Sequence, residues 1–281
     1  MRKFCLIGHP LGHSLSPQIH TRLFELSGET AEYTLCDIAP EVLASKHGEL
    51  AEFDGFNITI PHKIAIIDYC GELSPEARRY SSVNCVKNGS TKVGYNTDCI
   101  GFTKSIEMLG ASLKSKVLLI GCGGVGRMAA IETAIQGGDL SVAVLKSDLP
   151  LVEKVTEEIH EQNPDAHVRV VIIGDNGLSV ADLNNEKFDL LINCTPVGMF
   201  PKTDRMPCNA DVLDNVKFVF DLIYNPRETM LTKTAREKGC KALNGMAMLV
   251  LQAVAAHEIW DGASYQKEDI DKLISDMEEL V

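Results

Sequence analysis

The chain has 281 residues, 45% of them hydrophobic, and a formal net charge of −12. That length suffices for two domains of ordinary size or one large one, and its longest apolar runs, such as 116–120 and 246–251, are far too short to cross a bilayer. An acidic surface of this kind repels phosphate backbones and anionic lipid, which argues against nucleic acid and membrane as partners, yet a few local Lys and Arg can still set the field inside a cleft for an anionic small molecule.

In chain order, residues 3–8 read as a first β-strand that runs into Gly8-His9-Pro10; the absence of a small-residue cleavage pattern argues against a signal peptide. Ser16-Pro17 then opens a helix that runs to about Gly28, with Ser as N-cap and Pro at the first helical position, where its missing N–H would have no partner. Residues 34–38 and 55–60 read as further strands, each followed by a helix, and 83–87 and 92–95 flank the hairpin signal Asn88-Gly89-Ser90. A helix over roughly 99–109 leads to a second unit. There 116–120 is a strand, glycines follow at once, 128–136 is helical, and 141–145, 168–173, 188–193 and 216–222 continue a strand–helix rhythm. The segments 246–259 and 267–280 are helical by period. Such alternation implies an α/β protein with mostly parallel sheets covered by helices. The nine cysteines are scattered, with no Cys-x-x-Cys pair, which fits reduced thiols in a cytoplasm and neither a disulfide framework nor a zinc ribbon; no metal site is expected. Cys85 and Cys99 have no sequence neighbour that would make either a nucleophile.

Gly121-Cys-Gly-Gly-Val-Gly126 fits the dinucleotide fingerprint at Gly121, Gly123 and Gly126, with a strand before it and a helix after it. Glycines there permit a tight turn and a close backbone approach to a pyrophosphate, and the helix N-terminus favours negative charge. Arg127 can assist a phosphate or simply be solvated. At the end of the next strand, Lys146 and Ser147 favour the 2′-phosphate of NADP, whereas Asp148 favours the free ribose of NAD.

Four polar segments lie in the first part of the chain. Ser14 and Ser16 stand two residues apart. Alternation puts Asn57 and Thr59 on one side of a strand, and Lys63 is expected in the first turn of a helix, an unfavourable place for a cation. Asn84 follows Ser82-Val83, and Asn96-Thr97-Asp98 follows the hairpin. Together they offer hydrogen bonds for a polyhydroxylated ligand and one Lys–carboxylate pair for proton transfer.

These segments and the glycine turn resemble the shikimate dehydrogenase family in order and spacing over nearly the whole chain. The resemblance is carried by Gly8 to His20, Gly55 to Lys63, Gly94 to Asp98, Asn193 to Met199, Asp221 to Pro226 with Glu228-Thr229, and Asn244 to Leu249 with Gln252 and Trp260. It implies a substrate-binding, catalytic domain over 1–98, completed by C-terminal helices over 246–281, and a Rossmann-like cofactor domain over 99–245, with a cleft between them. It further implies a soluble NADP- or NAD-dependent oxidoreductase, monomer or homodimer, that interconverts 3-dehydroshikimate and shikimate, with quinate as an alternative polyol. Lys63 and Asp98 would be the catalytic pair. Ser14, Ser16, Thr59, Asn84 and Gln252 would bind substrate, with Asn57 and Tyr224 close by. Gly121, Gly123, Gly124, Val125, Gly126, Arg127, Lys146, Ser147, Asp148, Thr195, Met199 and Leu222 would lie along the cofactor, with Gly245 and Met248 near its nicotinamide. The chain departs from the family pattern at Ser81-Ser82, at Cys85, and at Lys146-Ser147-Asp148, where the usual arginine is missing. A catalytically silent ligand-binding protein is the alternative from another class, and the intact Lys63 and Asp98 argue against it.

Overall fold

The computed structural model describes residues 1–12 and 14–281; His13, which opens the Ser14–Ser16 segment, lies outside the described residues. The chain divides into two compact units, one of Met1–Gly101 with Leu249–Met277 and one of Phe102–Met248 with Glu278–Val281.

The first unit begins with β1 (Arg2–Gly8), α1 (Ser16–Ser27), β2 (Ala31–Asp37), α2 (Leu43–Lys46), β3 (Gly55–Ile58), β4 (Glu72–Leu73), α3 (Pro75–Tyr80), β5 (Cys85–Lys87), β6 (Val93–Tyr95) and the start of α4 (Asp98–Leu109). Its sheet runs β2-β1-β3-β5-β6-β4. The pairs β1–β2, β1–β3 and β4–β6 are parallel, and β3–β5–β6 are antiparallel across the hairpin that Asn88-Gly89-Ser90 announces. Side chains alternate across this sheet. Cys5, Ile7, Phe56, Ile58 and Val86 join one core cluster, and Phe4, Leu6 and Cys85 join another with Phe24, Tyr33 and Trp260.

The second unit holds β7 (Lys116–Ile120), α5 (Gly124–Ile135), β8 (Asp139–Val144), α6 (Leu149–Gln162), β9 (Val168–Ile172), β10 (Phe188–Asn193), β11 (Val216–Asp221), α7 (Met230–Glu237) and β12 (Lys241–Leu243). Its sheet is wholly parallel, in the order β12-β11-β10-β7-β8-β9. The strand order reverses between β7 and β10. Crevices at the carboxyl ends of strands at such a reversal are where open α/β sheets take ligands.

Two helices follow, α8 (Met246–Asp261) and α9 (Lys267–Glu278). Within the first unit α8 is fastened to the sheet: Trp260 Nε1 donates to the Val86 carbonyl at 2.9 Å, Lys87 Nζ donates to the Ile259 carbonyl at 2.8 Å, and Arg2 pairs with Asp261. Gly55 allows this approach, since a Cβ there would meet Trp260 Nε1 at 2.4 Å and the Val86 carbonyl at 2.8 Å.

The structure differs from the sequence expectations at several points, four of which bear on the site or on the sheet that carries it. Ser16 is the first helical residue and not the N-cap; Leu15 holds that position without a side-chain bond, and Ser14 Oγ accepts from Ser16 N at 3.2 Å. Lys63 lies in a turn ahead of a 3-10 helix, Ala65–Tyr69, and not in the first turn of an α-helix. Pro61 offers no N–H, and the buried His62 ring bonds the Ile38 carbonyl through Nε2 at 2.6 Å, which ties this turn to the chain just past β2. The helix after the glycines begins at Gly124 and not at Met128. The second strand starts earlier, at Ala31, because it pairs along the whole of β1.

Candidate active site

In the first unit Lys63 Nζ donates to Asp98 Oδ2 at 2.7 Å, with the side chains 26% and 17% exposed. The turn that carries Lys63 is fixed by the His62 bond to Ile38 and by the Lys63 carbonyl, which accepts from Val83 N at 2.8 Å. Asp98 opens α4, where a carboxylate is favoured by the helix dipole. Asn84 grips the same corner. Its Nδ2 donates to Asp98 Oδ1 at 2.8 Å and to Thr97 Oγ1 at 2.9 Å, and its Oδ1 accepts from Thr97 N at 2.6 Å. Both carboxylate oxygens of Asp98 therefore have a donor, which locks its orientation. The Thr97 hydroxyl reaches Gln252 Oε1 of α8 at 3.4 Å, a long contact, while Gln252 Nε2 donates to the Leu249 carbonyl at 2.8 Å.

The structure thus brings Lys63, Asn84, Asp98 and Gln252 into one bonded network. Asn57, buried but 4% exposed, joins it from β3, with Nδ2 donating to the Asn84 carbonyl at 3.3 Å. Thr59, half-buried, is anchored by its N–H to the Ile7 carbonyl at 2.9 Å, and Ser14 and Ser16 are half-buried at the start of α1. Ser14 Oγ already accepts one bond, so its proton remains to be donated. Tyr224 belongs to the second unit, where burial pushes its hydroxyl pKa up. Burial also pushes the Cys85 thiol far up and the Cys122 thiol up to about 11, which makes neither a nucleophile at neutral pH.

In the second unit the glycine turn has the geometry a dinucleotide needs. Gly121 has φ +87°, in the left-handed region, and a Cβ there would sit 2.6 Å from Thr195 Cγ2. A Cβ on Gly126 would lie 2.5 Å from the Gly121 carbonyl oxygen, so α5 packs against the strand end only because that side chain is absent. Gly123 and Gly124 face open space at the N-terminus of α5, and Val125 is exposed beside them. These are the three separate duties of glycine in such a turn, and the cradle fits a pyrophosphate. Arg127 is half-buried and paired: its Nε donates to Glu158 Oε2 of α6 at 2.6 Å. Lys146, Ser147 and Asp148 form a 3-10 turn after β8, with Lys146 and Ser147 exposed and Ser147 Oγ donating to Asp148 at 3.2 Å. Thr195 follows β10, Leu222 follows β11, Met199 is exposed, Gly245 directly precedes α8, and Met248 lies in its first turn.

Sequence reasoning gave no role to two buried polar centres. Asp221, at the end of β11, accepts from Asn193 Nδ2 at 2.9 Å, Ile223 N at 3.2 Å and Thr229 Oγ1 at 2.6 Å. Asn193 Oδ1 in turn accepts from Thr195 N and Oγ1 at 3.0 and 2.7 Å. Burial pushes the Asp221 carboxyl pKa up against these bonds. The second centre stacks His20 on Tyr33 at 4.1 Å and bonds His20 Nδ1 to His257 Nε2 at 3.0 Å. The polar strand ends Asn193 and Asp221 are the signal that could have exposed the first. The second pairs residues far apart in the chain and left no signal.

A mostly parallel α/β architecture with a glycine turn at a strand-order reversal places the chain among the Rossmann-type dinucleotide-binding folds. A family profile described as the shikimate dehydrogenase substrate binding domain matches residues 6–86. The chain is 37% identical over 273 residues to a shikimate dehydrogenase (NADP(+)) of Caldanaerobacter subterraneus subsp. tengcongensis, covering 94% of this chain and 93% of that one. Two solved structures are similar throughout. One is shikimate 5-dehydrogenase from Thermus thermophilus in complex with NADP(H) and shikimate, with TM-score 0.83 and 29% identity over 98% of this chain and 99% of that one. The other is shikimate 5-dehydrogenase from Listeria monocytogenes in complex with shikimate and NAD, with TM-score 0.87 and 28% identity over 99% and 96%. The chain belongs to the shikimate dehydrogenase family.

Proposed function

We propose that the protein interconverts 3-dehydroshikimate and shikimate with a nicotinamide dinucleotide, and that Lys63 and Asp98 manage the proton at the hydroxyl that becomes the ketone. The observation that carries this reading is the 2.7 Å Lys63–Asp98 pair, held from behind by Asn84. The dinucleotide, when bound, supplies the hydride. In the reductive direction negative charge develops on the substrate oxygen. The Lys63 ammonium stabilises it and gives up a proton to it, and in the oxidative direction the neutral amine takes that proton back. Asp98 keeps Nζ in place and offers its carboxylate to the same hydroxyl.

Ser14, Ser16, Thr59, Asn84 and Gln252 supply the donors and acceptors for the substrate carboxylate and remaining hydroxyls, with Asn57 beside them, and Tyr224 is the second unit's candidate for the same ligand. The backbone amides from Gly121 to Gly126 suit the pyrophosphate, and Thr195, Met199, Leu222, Gly245 and Met248 suit the rest of the cofactor. Arg127 is bound to Glu158 through Nε, and a guanidinium carries five N–H donors, so this bond does not by itself keep it from a phosphate. In this reading residues 1–98 with 246–281 act on substrate and 99–245 on cofactor, in a cytoplasmic setting that agrees with nine free cysteines.

A second reading, oxidation of shikimate or quinate with NAD, is favoured by Asp148 beside Ser147 at the turn after β8. Absorbance of the reduced cofactor, followed with shikimate or quinate and with NAD⁺ or NADP⁺, decides between them. Turnover of shikimate with at least one cofactor is expected. No turnover in any combination would refute the enzyme reading in favour of a binding protein.

A further inference from the structure

We propose that Tyr33 is a positioning residue for substrate recognition: its hydroxyl fixes the Asn57 amide so that Asn57 presents an N–H, and never its carbonyl, to a substrate oxygen. The inference rests on the proposed function and names a determinant of the same site. Tyr33 Oη donates to Asn57 Oδ1 at 2.8 Å from β2 to β3, across the intervening β1. Asn57 Nδ2 donates to the Asn84 carbonyl, and a carbonyl can only accept. The two contacts therefore demand one amide orientation. A flipped amide would set its oxygen against the Asn84 carbonyl and leave the Tyr33 proton without an acceptor. With Oδ1 held by Tyr33 and one Nδ2 hydrogen held by Asn84, the second Nδ2 hydrogen is the group Asn57 has to offer a ligand.

The phenol is itself held. Its ring stacks on His20 at 4.1 Å and 6°, and His20 is bonded to His257, which meets the Tyr265 hydroxyl through Nδ1 at 2.9 Å. Burial keeps the Tyr33 hydroxyl protonated and His20 neutral, so the donor is permanent and no charge competes for the amide. The Asn84 that receives Asn57 is the residue that grips Asp98, so one polar network sets both the binding amide and the Lys63–Asp98 corner.

The test is a double-mutant cycle of Tyr33→Phe and Asn57→Asp, read by calorimetric shikimate Kd and by steady-state KM and kcat. Tyr33→Phe removes only a hydroxyl. It is expected to raise Kd and KM about tenfold while kcat stays within about threefold, the scale of one well-placed hydrogen bond. In the Asn57→Asp background, which has no amide to orient, the further effect of Tyr33→Phe on Kd is expected to fall below about twofold. A purely structural role for Tyr33 would lower the melting temperature and the active fraction but leave Kd per active molecule unchanged, and that result overturns the proposal. Equal losses in both backgrounds overturn it too. A wild-type protein that binds shikimate without turning it over would remove the proposed function and leave this inference readable in Kd; one that does neither removes both.

Discussion

Lowering the pH from 7 to 5 is expected to cost the α8-bearing unit about 2 kcal/mol of stability through His257 alone. His257 is fully buried on α8, and burial first, then the Arg2 charge, lowers its pKa from 6.5 to about 3. An imidazole whose folded pKa lies below its unfolded value binds more protons unfolded than folded. Its stabilising contribution is therefore complete above pH 6.5 and is lost as the pH falls towards the folded pKa. At pH 5 the titration has run roughly 1.5 units below the unfolded value, and about 1.4 kcal/mol per unit gives the figure quoted. His20, lowered by burial and by His257, adds to the loss in the same direction. The single tryptophan, Trp260, lies 5.5 Å from His257 between ring centroids and reports unfolding of this unit by fluorescence. Urea unfolding at pH 7 and pH 5 should show the loss in the wild type. In His257→Gln, whose amide can still bond His20 and Tyr265, the drop should shrink by about 2 kcal/mol. An equal pH dependence in the two proteins would refute the reasoning.

Three further outcomes follow from close contacts. Gly126→Ala drives a Cβ against the Gly121 carbonyl and should shift the start of α5, raising the calorimetric Kd for NADP⁺ and NAD⁺ at least about tenfold without unfolding the protein. Thr229→Val deprives the buried Asp221 of its 2.6 Å donor and breaks the capping box at the start of α7, and denaturation should show a loss of about 1–3 kcal/mol. Gly55→Ala pushes Trp260 off the Val86 carbonyl and should cost about 1–3 kcal/mol, with a change in Trp260 fluorescence in the folded state.

Much of this fold could be read from local pattern. Lys116–Ile120 and Phe188–Asn193 form strands over the residues their apolar runs indicate, because a strand buried on both faces needs little besides such a run. The glycine turn was legible because each glycine answers a local steric demand. Short elements such as β4, of two residues, and β12, of three, were not legible, since they exist only through pairing with β6 and β11. Lys63 was misplaced on a helix because its actual support, the His62 ring on Ile38, reaches across the fold. The site divides along the same line. Lys63 and Asp98 stand out by residue type and family register. Tyr33 and His257 carry no signal of their own in the sequence, and only the assembled sheet joins Tyr33 to Asn57.

The central claim is that Lys63 moves the proton while Asp98 holds it in place. Its most direct test is kcat for shikimate oxidation by Lys63→Ala at saturating substrate and cofactor, with shikimate KM measured alongside. A fall of about 10²- to 10⁴-fold in kcat with only a modest change in KM is the predicted result. A variant that keeps near wild-type kcat would remove Lys63 from the chemistry and contradict the account.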